Sequence, residues 1–242
     1  MGDPLLMNYK DVTLCKLALA STMYDSVTPF NRSLARLQSD TTSSIDLANR
    51  EHRLYLLKWL NDWGCRHLSV DQHDVASDSI SEWYDAQGAS LFMNQEPLWD
   101  LEDSALEIAA HAYGVLKDKT GAWRIGGGRR RKVHIGPTAA SKVLFAIRPK
   151  ALMPWDEAMR ISFDCDGSPE SYFEYLREIR HLTLHIRDLC RNKGFQINDL
   201  PTRLGRRDST VLALVNEYIW VTVTRKVKLP SSKTIGRWAS LD

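Results

Sequence analysis

Apolar residues recur every three or four positions along most of this chain, the spacing that lines one face of a helix. Residues 8–24 show it first and predict a helix that stops near Thr28-Pro29, because the residue before a proline is biased away from helical geometry. Asn31 or Ser33 offers a cap for the next turn. The polar run Ser39-Asp40-Thr41-Thr42-Ser43-Ser44 reads as a loop or a helix start. From Ile45 to Trp63, Leu54, Leu57 and Leu60 stand among charged residues, which predicts an amphipathic helix ended by Gly64. Another helix is expected over Ser104 to Lys117, with apolar residues at 105, 106, 109, 112, 113 and 116 and Ser104 as its cap. Farther on, Asp166-Gly167-Ser168-Pro169 reads as a turn and cap. Tyr172, Leu176, Ile179, Leu182, Ile186 and Leu189 then mark a long amphipathic helix that Asn192-Lys193-Gly194 ends. Leu200 to Arg207 is a basic connection. Residues 209–224 (STVLALVNEYIWVTVT) are rich in β-branched and aromatic residues, yet their length and spacing favour a buried helix over a strand. The polar tail from Lys226 is expected to fray. The fold class expected from this pattern is all-α.

Two stretches break the periodicity. Residues 65–103 contain His67, Asp71, His73, Asp74 and Asp78, but their spacing fits no standard metal site, so they read as solvated loop and helix caps. Trp83, Tyr84, Phe92 and Trp99 in that stretch read as core contacts. In Thr120 to Gly128 the three consecutive glycines cost too much backbone entropy for regular structure and predict a mobile loop that orders on binding. The GxxxxGK[ST] order of a P-loop is absent.

With 242 residues the chain can bury a sizeable core as one large domain or two lobes. No apolar run approaches the roughly 20 residues of a membrane span, and the first residues lack a signal-peptide pattern, so an intracellular, cytoplasmic protein is expected. Cys15, Cys65, Cys165 and Cys190 lie far apart and match no zinc spacing. Neither a metal nor another cofactor is expected. The net charge of +2 conceals an uneven distribution: residues 1–120 carry 10 Lys/Arg against 18 Asp/Glu, residues 121–160 carry 9 against 2, and residues 161–242 carry 13 against 10. Positive charge concentrated in one short segment is the electrostatic footprint of a phosphate-binding face.

That segment contains RRRKVHIGPTAASKVLFAIRPKALMPWDEAMR, Arg129 to Arg160. Gly136 permits a sharp turn, and Pro137 suits the first turn of a helix, where its missing N–H would have no intrahelical partner. A helix start of this kind presents free N–H groups beside Arg129, Arg130, Arg131 and Lys132, which suits a phosphate. Arg148-Pro149 stops the helix, and Pro154-Trp155-Asp156 opens another, with Asp156 a natural N-cap.

Ile135-Gly136-Pro137-Thr138-Ala139-Ala140, an apolar helix, a proline and Trp155-Asp156 together resemble the hairpin and catalytic aspartate of the helix-hairpin-helix DNA glycosylases. Gly136 and Asp156 are 20 residues apart, about the family's separation, and the resemblance covers about 35 of 242 residues. It implies two helical lobes with a DNA-binding cleft between them. The N-terminal helix (1–40) would pack on the C-terminal lobe, a central lobe (41–150) would end in the hairpin (133–148), and the C-terminal lobe (151–242) would carry Asp156. Double-stranded DNA is the implied partner, bound by a monomer through Arg129, Arg130, Arg131, Lys132, His134, Gly136, Thr138 and Lys142, with Trp155 a wall of the base pocket. The closely spaced cysteines that hold an iron-sulfur cluster in some members are absent. Members that also cut the strand carry a lysine two positions beyond the hairpin glycine; Thr138 stands there and cannot form a Schiff base, which implies a monofunctional enzyme that uses water. Lys142 lies one turn on, about 5 Å away along the helix, too far to substitute. The chain looks most like a small prokaryotic branch that excises bulky modified cytosines, such as glucosylated hydroxymethylcytosine, from phage DNA. A repair glycosylase for oxidised or alkylated bases and a non-catalytic helix-hairpin-helix DNA-binding module are the alternatives.

Overall fold

The computed structural model describes residues 11–42, 44–92, 96–126 and 128–238. Positions 8–10 of the first expected helix, Gly127 and the side chain of Phe92 lie outside the described residues. In chain order the helices are α1 (Leu14–Val27), α2 (Phe30–Asp40), α3 (Arg50–Asp62), α4 (His73–Trp83), α5 (Ala89–Phe92), α6 (Asp103–Lys117), α7 (Gly136–Ile147), α8 (Glu157–Ser162), α9 (Pro169–Asn192), α10 (Leu200–Arg203), α11 (Val211–Ile219) and α12 (Ser232–Trp238). Strands β1 (Thr120–Gly126) and β2 (Arg129–His134) pair antiparallel between α6 and α7. The protein is therefore mostly helical, as the apolar periodicity predicted, with one small two-stranded hairpin.

The hairpin corrects the expectation of a mobile loop. Gly128, next to the Gly126–Arg129 pair that ends the ladder, takes a positive φ of 73°, while Trp123, Ile125 and Val133 lie in the strands. Trp123 pairs with Lys132, Arg124 with Arg131 and Ile125 with Arg130. Gln72, just before α4, ties down β1: its amide donates to the Trp123 carbonyl and accepts from the Trp123 N–H. Two pairing strands satisfy backbone groups that a loop would leave to water, and the basic run thus occupies a strand.

Elsewhere the chemistry of single residues sets the boundaries. Thr13 caps α1 by accepting from the Lys16 N–H, and Leu17, Ala20, Ser21 and Tyr24 form its buried stripe. α3 begins five residues later than Ile45, because the Asn49 side chain accepts from the Glu51 N–H. α6 starts at Asp103 after Glu102, so Ser104 lies inside the helix and is not its cap. Within 65–103, α4 presents Ala76, Ile80 and Trp83 to the core and keeps Asp74 and Asp78 exposed. Trp83 is fully buried and donates its indole N–H to the Ala112 carbonyl. α9 opens with Ser168 accepting from the Ser171 N–H. The tail forms α12 where fraying was expected.

The buried apolar residues form one continuous cluster. α7 runs through it, buried over every residue from Ala139 to Phe145, between α6 and α3. α6 also lies along α9, while α1 packs on α11 and on the π-type turn Trp220–Thr224 that extends it. The helix expected within 209–224 is α11 plus this turn, with all nine residues of α11 buried. No helix among the described residues is long and apolar enough to cross a membrane.

Candidate functional site

The corner between β2 and α7 is held rigidly. Ile135 is fully buried; its N–H donates to the Lys119 carbonyl, and its own carbonyl lies 2.8 Å from His67 Nε2. Gly136 follows with φ of 78°, a conformation costly for any residue with a Cβ, and Pro137 begins the first turn. No side chain caps α7, so its first N–H groups lack a side-chain partner.

Asp156 is the N-cap of α8. Its Oδ1 accepts from the Met159 N–H at 2.8 Å, and its Oδ2 accepts from the Thr224 hydroxyl at 2.8 Å. Thr224 ends the π-type turn after α11, so an irregular turn holds the carboxylate; such turns are frequent at functional sites. A carboxylate has about four lone-pair sites, and two are thereby used, leaving the half-buried group able to act on a neighbour.

Gly136, Pro137, Thr138, Lys142, His134, Trp155 and Asp156 all line one open cavity of ≈ 570 Å³. Part of its remaining wall comes from distant parts of the chain: Tyr24 on α1, Phe30 on α2, Trp63 just past α3, and Asn216 and Trp220 on and after α11. The aromatic rings form a connected set. Trp220 meets Tyr24 edge-on with centroids 5.0 Å apart and Phe30 edge-on at 6.2 Å, and Phe30 lies 5.7 Å from Trp63. Phe30 and Trp220 remain half-exposed, so ring surface is available to a planar ligand. None of these four aromatic residues was legible as a site residue, since each satisfies a helical apolar pattern by itself. Only the proline and glycine signals near 136 and 156 marked the site.

Two of the expected site residues line the cavity from buried positions. Lys142 was placed among the phosphate contacts, but it is buried, with its ammonium donated to the Trp63 carbonyl and 5.7 Å from the centre of the Trp63 ring. Burial lowers its pKa, opposed by the charges of Cys65 and Asp156. It ties α7 to the end of α3 and lines the cavity. Trp155 was expected as a wall of the base pocket, and it does border the cavity. It is 1 % exposed, packed among Tyr113, Tyr172 and Tyr175, and its indole N–H donates to the Pro137 carbonyl at 3.1 Å. Trp155 thus braces the corner from beneath.

Arg129, Arg130, Arg131 and Lys132 are exposed on β2, and among the described residues none of them forms an ion pair. Arg130 covers the Trp123 ring at 4.1 Å, and Ile125 beside it is 85 % exposed. His134, at the foot of the strand, bonds the Asp118 carbonyl through Nδ1 and borders the cavity. Thus β2 carries cationic side chains directly up to the cavity mouth. His67, His73, Asp71, Asp74 and Asp78 do not converge, and among the described residues no three His, Cys, Asp or Glu side chains form a metal-binding group. No protein-family model, curated protein or solved structure matches the chain.

Proposed function

We propose that this protein is a monofunctional DNA glycosylase: it binds duplex DNA, draws one modified nucleotide into the cavity and hydrolyses its N-glycosidic bond, leaving an abasic site. The observation that carries this proposal is the convergence of the glycine corner, the Asp156 carboxylate and an aromatic wall on a single cavity beside an unpaired cationic strand. The β2 side chains and the uncapped start of α7 hold the phosphates on either side of the target nucleotide. Those contacts offset the few kcal/mol that unstacking and unpairing cost. The base enters between Phe30, Trp63 and Trp220, and exposed Ile125 at the hairpin tip contacts the groove as an apolar wedge.

Cleavage develops positive charge on the sugar as the C1′–N bond lengthens, and the Asp156 carboxylate stabilises it. Water adds to C1′, the base departs with the bonding pair, and Asp156 receives the proton that the water gives up. A cavity of ≈ 570 Å³ falls within the range of about 300–1,000 Å³ that takes drug-sized ligands, which favours a base with a bulky substituent such as glucosylated hydroxymethylcytosine.

The test is to incubate the protein with duplexes holding glucosylated hydroxymethylcytosine, oxidised or alkylated bases, or no modification, and then apply alkali or an abasic-site endonuclease. Abasic sites at the modified position, lost in Asp156→Asn with duplex binding retained, are the expected result. Tight binding with no abasic site on any duplex would leave a DNA-binding module and refute the enzyme.

A further inference from the structure

Asn216 is the one polar side chain of α11 that faces the aromatic cavity, and the residue is only 6 % exposed. Among the described residues its carboxamide makes no hydrogen bond. Several other polar groups of this region are paired, while the Nε of cavity-lining Arg160 is buried without a partner. Glu217 binds Arg206 at 2.9 Å, Ser141 bonds the Thr138 carbonyl, and Lys142 bonds the Trp63 carbonyl. The amide is therefore free to bond whatever enters the open cavity that it lines. One helical turn separates Asn216 from Trp220, so both project toward the same side, with Tyr24 edge-on to the Trp220 ring. A planar amide thus sits at the margin of an aromatic slot.

We infer that Asn216 reads the hydrogen-bonding edge of the extruded base, and that the substrates are therefore neutral bases whose ring edge offers an adjacent donor and acceptor. The inference rests on the glycosylase proposal above and narrows its substrate class. The aromatic rings hold a base by its faces and are indifferent to which base it is. The carboxamide carries one acceptor oxygen and two N–H donors, the set that pairs bidentately with an amino group beside a ring nitrogen. Cytosine modified at its 5-position keeps that edge. A base methylated on ring N3 loses the acceptor and gains a charge, and would leave Asn216 unpaired in the bound state. A site built on a hydrogen-bonded edge rejects analogues lacking it far more strongly than an apolar slot does.

The experiment uses the full chain and its own tryptophan fluorescence, because Trp63 and Trp220 line the cavity. The free bases cytosine, 5-hydroxymethylcytosine and 3-methylcytosine are titrated into wild type, Asn216→Leu and Asn216→Asp, with circular dichroism and thermal melts as fold controls. Wild type is expected to respond to the first two bases and at least about tenfold more weakly to the third, and Asn216→Leu to lose the preference with about tenfold weaker binding of cytosine. Should the leucine variant not fold, Asn216→Asp carries the test: it keeps an acceptor for the amino group, lacks the donor, and is expected to bind cytosine more weakly than wild type. Equal binding of cytosine and 3-methylcytosine by wild type, no base binding at all, or unchanged cytosine binding in a folded variant would overturn the inference. Abasic-site formation separates the two proposals. Undiminished excision in Asn216→Leu removes the role of Asn216 and spares the glycosylase, whereas Asn216-dependent base binding without any excision removes the glycosylase and spares the base site.

Discussion

Replacing Asp156 by Asn separates charge from architecture at the site. Asparagine caps helices about as well as aspartate, so its Oδ1 continues to accept from the Met159 N–H. The Thr224 hydroxyl, which now donates to Oδ2, can rotate and accept from the new amide. Both hydrogen bonds survive, and stability should change by less than about 1 kcal/mol. The negative charge does not survive. For unit charges about 4 Å apart at an effective dielectric of about 20, its attraction for a cationic sugar is roughly 4 kcal/mol, which corresponds to about three orders of magnitude in rate. Single-turnover formation of alkali-labile sites should therefore fall about 10³-fold, with an unchanged urea midpoint and unchanged duplex affinity. Excision within tenfold of wild type would show that Asp156 is a cap and nothing more. A loss matched by unfolding would show that the cap, not the charge, had been tested.

Replacing Arg129, Arg130, Arg131 and Lys132 with Ser should weaken duplex binding on all sequences and lower the slope of log affinity against log salt by about 0.9 for each phosphate no longer neutralised; an unchanged slope would remove β2 from the DNA interface. Gly136→Ala should destabilise the fold by about 1–2 kcal/mol in urea melts, because the residue sits at φ 78° while the added Cβ would meet only His67 Nε2 at 3.9 Å. On the proposed reading, with a threonine at 138 and Lys142 committed to the Trp63 carbonyl, the product strand should stay intact until alkali is added. A borohydride-trapped adduct that disappears in Lys142→Met would contradict this. Burial raises the pKa of Glu217 above its ordinary 4.5, an effect that Ser21, Arg206 and Asn31 oppose. Its contribution to stability is then fully present below pH 4.5 and is lost as pH rises through the raised value. Urea melts from pH 4.5 upward should show wild type losing stability more steeply than Glu217→Gln; parallel curves would refute the assignment.

Local chemistry made the helical character, the corner at Gly136-Pro137 and the cap at Asp156 legible in the sequence alone. A proline, a positive-φ glycine and a capping carboxylate act on their nearest neighbours, so their signals lie within a few residues of the structure they produce. The 20 residues between Gly136 and Asp156 span one helix and a turn, short enough for spacing to bring the two to one place. Pairing of β1 with β2 was hidden, because three glycines read as disorder until the two strands are seen to satisfy each other's backbone across the turn. The burial of Lys142 and Trp155 and the make-up of the aromatic wall were also decided in three dimensions. Tyr24, Phe30, Trp63, Asn216 and Trp220 come from positions nearly 200 residues apart, and each had already been accounted for by its own helix. Periodicity tells which face of a helix is buried, but whether that face meets another helix or an open cavity depends on how all the helices pack.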